Sequence, residues 1–391
     1  MHSADLASFL LAFASALLGA KVLGELCERL GQPAVLGELL AGVLLGPSVL
    51  GLVPLSAGIL LIAEVGVLLL LFEVGLETDL EELLRVGGPA MAVALVGMAL
   101  PFAGGYLLTR AAGFPTLTAI FVGAALTATS IGITSRVLSD LGLLASREGQ
   151  IILGAAVADD ILGLVVLAVV SQIAASGSVS AWQASKSALL SFGFLFVAIV
   201  AGLPLGRLLV RGVGRANVRG ILVAVSVAFA LLAALGAQAA GSAAIVGAFA
   251  AGLVLARTNR SDDIRNAVRP TVDVFAPIFF VAIGAQVDVR YLNPADASNR
   301  PALLLALGLI VVGSLGKFAA GWAAWGRVRR SFIGAGMIPR GEVGLIFAQI
   351  GKQNGALPEP AFVAVVVAVF ATTFLTPPLL KALRPRRAET A

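Results

Sequence analysis

The sequence predicts an all-α polytopic membrane protein: about thirteen transmembrane helices, built as inverted six-helix repeats with two broken, crossing helices. Three observations predict it. Of the 391 residues, 59% are hydrophobic and 13% charged, against about 45–50% and about 25% in an ordinary soluble domain. Mean hydropathy is +1.00. That much apolar surface cannot be buried in one soluble core, and the same numbers exclude a disordered chain, a collagen and a disulfide scaffold. Apolar stretches of the length that crosses a bilayer, about 20 residues for about 30 Å of hydrocarbon, recur along the whole chain. Finally, the basic residues concentrate on one of the two sides that those stretches define.

The candidate spans run over 4–23, 33–51, 57–76, 88–110, 115–138, 149–175, 183–210, 219–236, 240–257, 270–288, 301–325, 331–352 and 360–381. The first opens Met1-His2-Ser3-Ala4-Asp5, without a basic leader, and is longer than a signal-peptide core, so it reads as a retained helix. With the N-terminus outside, twenty of the 27 Lys and Arg fall on the inner side and five on the outer. Lys317 and Arg340 lie inside spans. One missed helix would invert everything after it, so this split supports thirteen crossings with the C-terminus inside. The net charge of +5 is read as loop topology, and no nucleic-acid partner is expected.

Thirteen spans divide as six, one and six. The two sixes then have opposite orientation, which is the inverted-repeat plan of secondary transporters. The plan predicts interrupted helices at matching positions. The fifth span carries Thr127-Ala128-Thr129-Ser130 in its middle, followed by Gly132 and Thr134. The twelfth, fifth in its own half, carries Pro339-Arg340-Gly341-Glu342 between Gly336 and Gly344. Proline removes a backbone donor and glycine weakens the helix. Two breaks in equivalent places predict a crossing near the midplane, where freed carbonyls and half-helix dipoles can hold a cation.

Charge inside the bilayer is costly, roughly 2.5–3.5 kcal/mol for an Asp, Lys or Arg at the centre. Asp159 and Asp160 in the sixth span, Lys317 in the eleventh, and Arg340 with Glu342 at the second break are therefore the informative residues. Adjacent helical residues point about 100° apart, so Asp159 and Asp160 cannot serve one partner. We expect Asp159 to pair with Lys317, and Asp160 to face the cavity as the ion ligand. Such a carboxylate holds a proton or a cation but not both. Na⁺ or Li⁺ suits carboxylate and hydroxyl oxygens, by extension from other hard cations. Arg340 and Glu342 are expected to satisfy freed backbone groups. Glu38, Glu64 and Glu73 have no basic partner at helical spacing, and Glu77, Asp79, Glu81 and Glu82 form an acidic run read as a solvated loop. Cys27 and His2 are the only cysteine and histidine, so no thiolate metal site and no cofactor are expected and proton chemistry must use Asp, Glu, Lys or water.

The stretch Gly154-Ala155-Ala156-Val157-Ala158-Asp159-Asp160-Ile161-Leu162-Gly163-Leu164 resembles the paired-aspartate motif of bacterial sodium/proton antiporters of the NapA type, within the monovalent cation:proton antiporter superfamily that also holds NhaA and the Kef systems. Residues 127–134 and 336–345 resemble its two unwound helices. Gly316-Lys317, Gln32-Pro33 through Gly46-Pro47, and Ala276-Pro277-Ile278-Phe279-Phe280 fit the same pattern. The likeness spans nearly the whole chain.

The resemblance implies an NhaA/NapA-like fold and an antiporter, not an enzyme. It implies that Asp160 is the main ion- and proton-binding carboxylate, that Asp159 is the partner of Lys317, and that Thr129 and Ser130 line the site, with Asp160 and Thr129 as Na⁺ or Li⁺ ligands. Thr127, Pro339, Arg340 and Glu342 support the crossing. It further implies a homodimer with an elevator motion. The dimerisation domain comprises 1–87 and 219–290, the ion-transporting core 88–175 and 291–391, and the linker helix 176–218. The two-Asp form implies electrogenic exchange. A multi-pass location in a bacterial inner membrane follows, with the lipid bilayer as surroundings. Potassium/proton exchange or Kef-like K⁺ efflux is the alternative. An intramembrane aspartyl protease is a remote one, because it needs two aspartates on different helices. Glu73 stands where the pattern leads one to expect an apolar residue.

Overall fold

A computed structural model describes residues 2–77, 87–130, 134, 137–138, 141–143, 146–176, 182, 193, 197–198, 200–206, 208, 220–240 and 244–383. Every regular element among them is helical. The elements are α1 (His2–Arg29), α2 (Ala34–Leu45), α3 (Ala57–Glu77), α4 (Gly88–Ala111), α5 (Thr116–Ala125), α6 (Arg147–Ser176), α7 (Ile221–Ala239), α8 (Ala244–Ala256), α9 (Ser261–Ala285), α10 (Arg300–Ala320), α11 (Arg330–Gly336), α12 (Glu342–Gln353) and α13 (Glu359–Ala382). Most of the expected seventh span lies outside the described residues, as do Asp79, Glu81 and Glu82. Residues 200–206 of that span are helical.

Apart from the seventh, the expected spans are found with instructive differences of length. Among the described residues eight helices are long and apolar enough to cross a membrane, while α2, α5 and α8 are shorter apolar helices. Helix α2 has 12 residues, about 18 Å at 1.5 Å per residue. It ends at Leu45 instead of 51 because Gly46 precedes Pro47 and takes an extended conformation, φ −69° and ψ 175°. Helix α9 begins at Ser261, well before the expected residue 270. Its extra turns are charged, with Asp262 and Asp263 near the positive end of the helix dipole and paired to Arg265 at 2.6 Å and Arg260 at 2.9 Å.

The order of elements repeats. Long α1, short α2, long α3, long α4, broken α5 and long α6 are matched by long α7, short α8, long α9, long α10, broken α11/α12 and long α13.

The chain divides into two units. One comprises Met1–Leu80 and Ser171–Arg290. In it α3 packs on α8 and α9, around Leu69, Phe72, Leu255, Ile264 and Val268. Backbones touch where α3 crosses α8: a Cβ on Gly252 would press into the carbonyl of Phe72, and one on Gly75 would meet the Cα of Gly252 at 3.0 Å. Such small-residue contacts are how helices approach closely without a hydrophobic drive between them. Glu73, half-buried on α3, lies within electrostatic range of the acidic Glu77 and Asp273 and of Arg269 and Arg265 on α9.

The other unit comprises Glu81–Val170 and Tyr291–Ala391. Its core packs α4, α6, α11 and α13 together through Val93, Ala94, Ile152, Ala155, Phe332, Ile333 and Leu380. This unit contains both broken helices and all the ionisable residues singled out at the breaks and beside them.

Candidate ion-binding site

Helix α5 stops at Ala125 and α11 at Gly336; α12 begins at Glu342. Each stop frees backbone groups that need partners. The two breaks supply them to each other, running antiparallel. Ser130 N–H donates to the Pro339 carbonyl at 2.9 Å, and the Thr134 hydroxyl donates to the Gly336 carbonyl at 2.9 Å. Thr127, by contrast, turns its hydroxyl back to the Ala124 carbonyl at 2.7 Å, capping the end of α5. The approach is tight: a Cβ on Gly341 would lie 2.7 Å from Ser130 Oγ.

Arg340 is wholly buried and spans the gap between three strands of chain. Its Nη1 donates to the Ala128 carbonyl at 3.1 Å, in the first break. Its Nη2 donates to the Gly313 carbonyl at 3.0 Å, on α10. Its own carbonyl accepts the Thr373 hydroxyl of α13 at 2.7 Å. Thr373 was not legible as a site residue, since a lone Thr in an apolar span usually bonds its own helix, as the neighbouring Thr372 does to Ala368. Pro339 contributes its carbonyl. The Glu342 side chain lies outside the described residues.

Asp159 and Asp160 sit on α6, at 0% and 7% exposure. Lys317 of α10, at 0% exposure, donates Nζ to Asp159 Oδ2. The Thr129 hydroxyl donates to the same oxygen at 2.8 Å, with the Met337 carbonyl as its second acceptor at 3.2 Å. Asp159 Oδ1 has no hydrogen-bond partner among the described residues. Asp160 lies within electrostatic range of Lys317. Ser130 is buried beside the crossing. Glycine lets α4 come close to the lysine, since a Cβ on Gly97 would meet Lys317 Nζ at 3.5 Å.

Two carboxylates and two cationic side chains are thus buried together, and their charges sum to zero when all are ionised.

Residues 13–383 match the family described as sodium/hydrogen exchanger, transmembrane. The chain belongs to that family. It is 42% identical over 415 residues to the high-affinity Na⁺/H⁺ antiporter NhaS3 of Synechocystis, covering 97% of this chain and 90% of the relative. It is 37% identical to the Na⁺/H⁺-K⁺ antiporter GerN of Bacillus cereus, covering 95% of each. The solved sodium proton antiporter MjNhaP1 of Methanocaldococcus jannaschii has the same fold, with a TM-score of 0.75 at 18% identity, covering 96% of this chain and 98% of that one.

Proposed function

We propose that this exchanger-family chain is a secondary active antiporter that exchanges Na⁺ or Li⁺ for H⁺ at Asp160. The observation that carries the proposal is the burial of Asp160 beside the Lys317–Asp159 ion pair, in the unit that holds both broken helices. A proton on Asp160 or a cation bound to it adds the same single charge to the four-charge cluster. Loading both adds two charges in a low-dielectric site, which is strongly disfavoured. Exclusive occupancy of this kind couples the two fluxes.

Thr129, with one hydroxyl proton shared between two acceptors, keeps its oxygen lone pairs for the cation beside Asp160. Ser130 and the carbonyls of the break offer further hard oxygen ligands. When the cation arrives and Lys317 also gives up its proton, two protons leave for one cation and the cycle moves charge. This is the electrogenic form of the proposal. The two units then act as a dimerisation domain and a moving core, in a homodimer embedded in a bacterial inner membrane with its N-terminus outside.

A potassium/proton exchanger is the second reading, favoured by the similarity to GerN, a Na⁺/H⁺-K⁺ antiporter. Hydroxyl and carbonyl ligands do not by themselves set an ion radius. The protease reading loses its basis, because both aspartates lie on α6 and the cross-helix partner of Asp159 is Lys317. Proton flux in proteoliposomes under an imposed pH gradient tests the proposal. Na⁺ or Li⁺ should dissipate the gradient, and a response to K⁺ alone would move the chain to the potassium reading.

A further inference from the structure

In the buried cluster one donor atom and one acceptor atom, on groups of opposite charge, have no hydrogen-bond partner among the described residues. Asp159 Oδ2 receives both Lys317 and Thr129, while Asp159 Oδ1 receives nothing. Arg340 uses Nη1 and Nη2 on the carbonyls of Ala128 and Gly313, while its Nε–H donates to nothing among the described residues. Both side chains are wholly buried and lie within electrostatic range of each other. Buried polar atoms rarely go without partners, and each that does calls for an explanation. Here the two orphans are chemically complementary.

We propose that Arg340 is a reserve partner for Asp159: when Lys317 releases that carboxylate, the Arg340 Nε–H donates to Asp159 Oδ1. The proposal rests on the exchanger site described above and names a positioning residue in it. Lys317 is a flexible single-point donor that can lose its proton, whereas a guanidinium stays charged and carries five donors in a rigid fork. Arg340 can therefore serve Asp159 through Nε while Nη1 stays on the Ala128 carbonyl of the first break and Nη2 on the Gly313 carbonyl of α10. A buried carboxylate abandoned by its lysine would otherwise be left without a charged partner, which is the costly case for a buried ion pair. With the handover, Asp159 stays compensated through a cycle in which Lys317 is free to move or to discharge.

Three variants and a structure test it. Lys317→Gln, Arg340→Lys and the double variant form a cycle read by thermal unfolding in lipid nanodiscs, which needs no transport. The double variant should be destabilised by more than the singles combined, and the excess should vanish in an Asp159→Asn background. Additive effects, or an excess that persists in Asp159→Asn, would overturn the proposal, since the coupling would then run through the backbone carbonyls.

In proteoliposomes Lys317→Gln should raise the Na⁺ KM more than it lowers kcat, and adding Arg340→Lys should then cut kcat per folded molecule by more than about tenfold. A purely structural role would change the amount of folded protein and leave both constants alone. A structure of Lys317→Gln should place Arg340 Nε within hydrogen-bond distance of Asp159 Oδ1. A gap there, or a Lys317→Gln protein that does not fold with Arg340 intact, would contradict the handover. Wild-type Na⁺-driven proton flux, measured alongside, tests the exchanger reading independently.

Discussion

The backbone N–H of Ser130 donates to the carbonyl of Pro339 at 2.9 Å, so the break in one helix is the hydrogen-bond partner of the break in the other. Neither segment can close into a regular helix without taking a partner from its counterpart. The crossing is therefore one mechanical piece. The Thr129 hydroxyl and the Arg340 guanidinium are held by it at fixed positions beside Asp159.

Asp159→Asn should leave Lys317 buried without its carboxylate. Removing one member of a buried ion pair costs about 3–5 kcal/mol, so the melting temperature in detergent should fall clearly. Lys317→Met introduced into the Asp159→Asn protein should recover part of the loss. An Asp159→Asn protein as stable as wild type would mean that the pair contributes no stability.

Lys317→Gln should change the charge moved per cation transported. Current and flux recorded together on a solid-supported membrane measure that ratio. A ratio equal to that of wild type would leave Lys317 as a partner for Asp159 and not a proton carrier.

The crossing itself has a packing limit. A Cβ on Gly341 would lie 2.7 Å from Ser130 Oγ and 2.8 Å from Ser130 Cβ. Forcing such overlap in a packed interior typically costs about 1–3 kcal/mol. Gly341→Ala should lower both thermal stability and transport rate. Thr373→Val, which removes the hydroxyl that donates to the Arg340 carbonyl, should act in the same direction by about 1 kcal/mol. Unchanged unfolding in both variants would show that the breaks tolerate movement.

Much of this was legible in the sequence because the membrane makes it so. Apolar length marks the long helices, and the expense of charge in hydrocarbon singles out Asp159, Asp160, Lys317 and Arg340 from 391 residues. The directions of adjacent helical residues implied that only one of the two aspartates pairs with Lys317, and the resemblance assigned that role to Asp159. Other features depend on tertiary contacts that carry no local signature. The early start of α9 is hidden because its first turns are charged and read as a loop. Nothing in the chain announces that Arg340 reaches the Gly313 carbonyl, or that Thr373 serves the break while Thr372 serves its own helix. Those are choices among equivalent donors, made by packing.

Competition at a single carboxylate has a pH signature. Lower pH raises the proton concentration and leaves less site for the cation, so the apparent Na⁺ KM should rise as pH falls, by at most about tenfold per pH unit if Asp160 alone gives up a proton and by up to about a hundredfold if Lys317 gives up a second, with little change in maximal rate at saturating Na⁺. Initial rates over a matrix of pH and Na⁺ concentration measure this. A maximal rate that falls with pH at constant KM would point to separate sites.

The most direct test of the whole account is proton flux in proteoliposomes carrying wild type or Asp160→Asn, with Na⁺, Li⁺ or K⁺ added to an imposed pH gradient. The account predicts dissipation by Na⁺ or Li⁺ in wild type and none in an Asp160→Asn protein that still folds. Equal dissipation by the folded variant would contradict it, because the transported ion would then be bound somewhere other than Asp160.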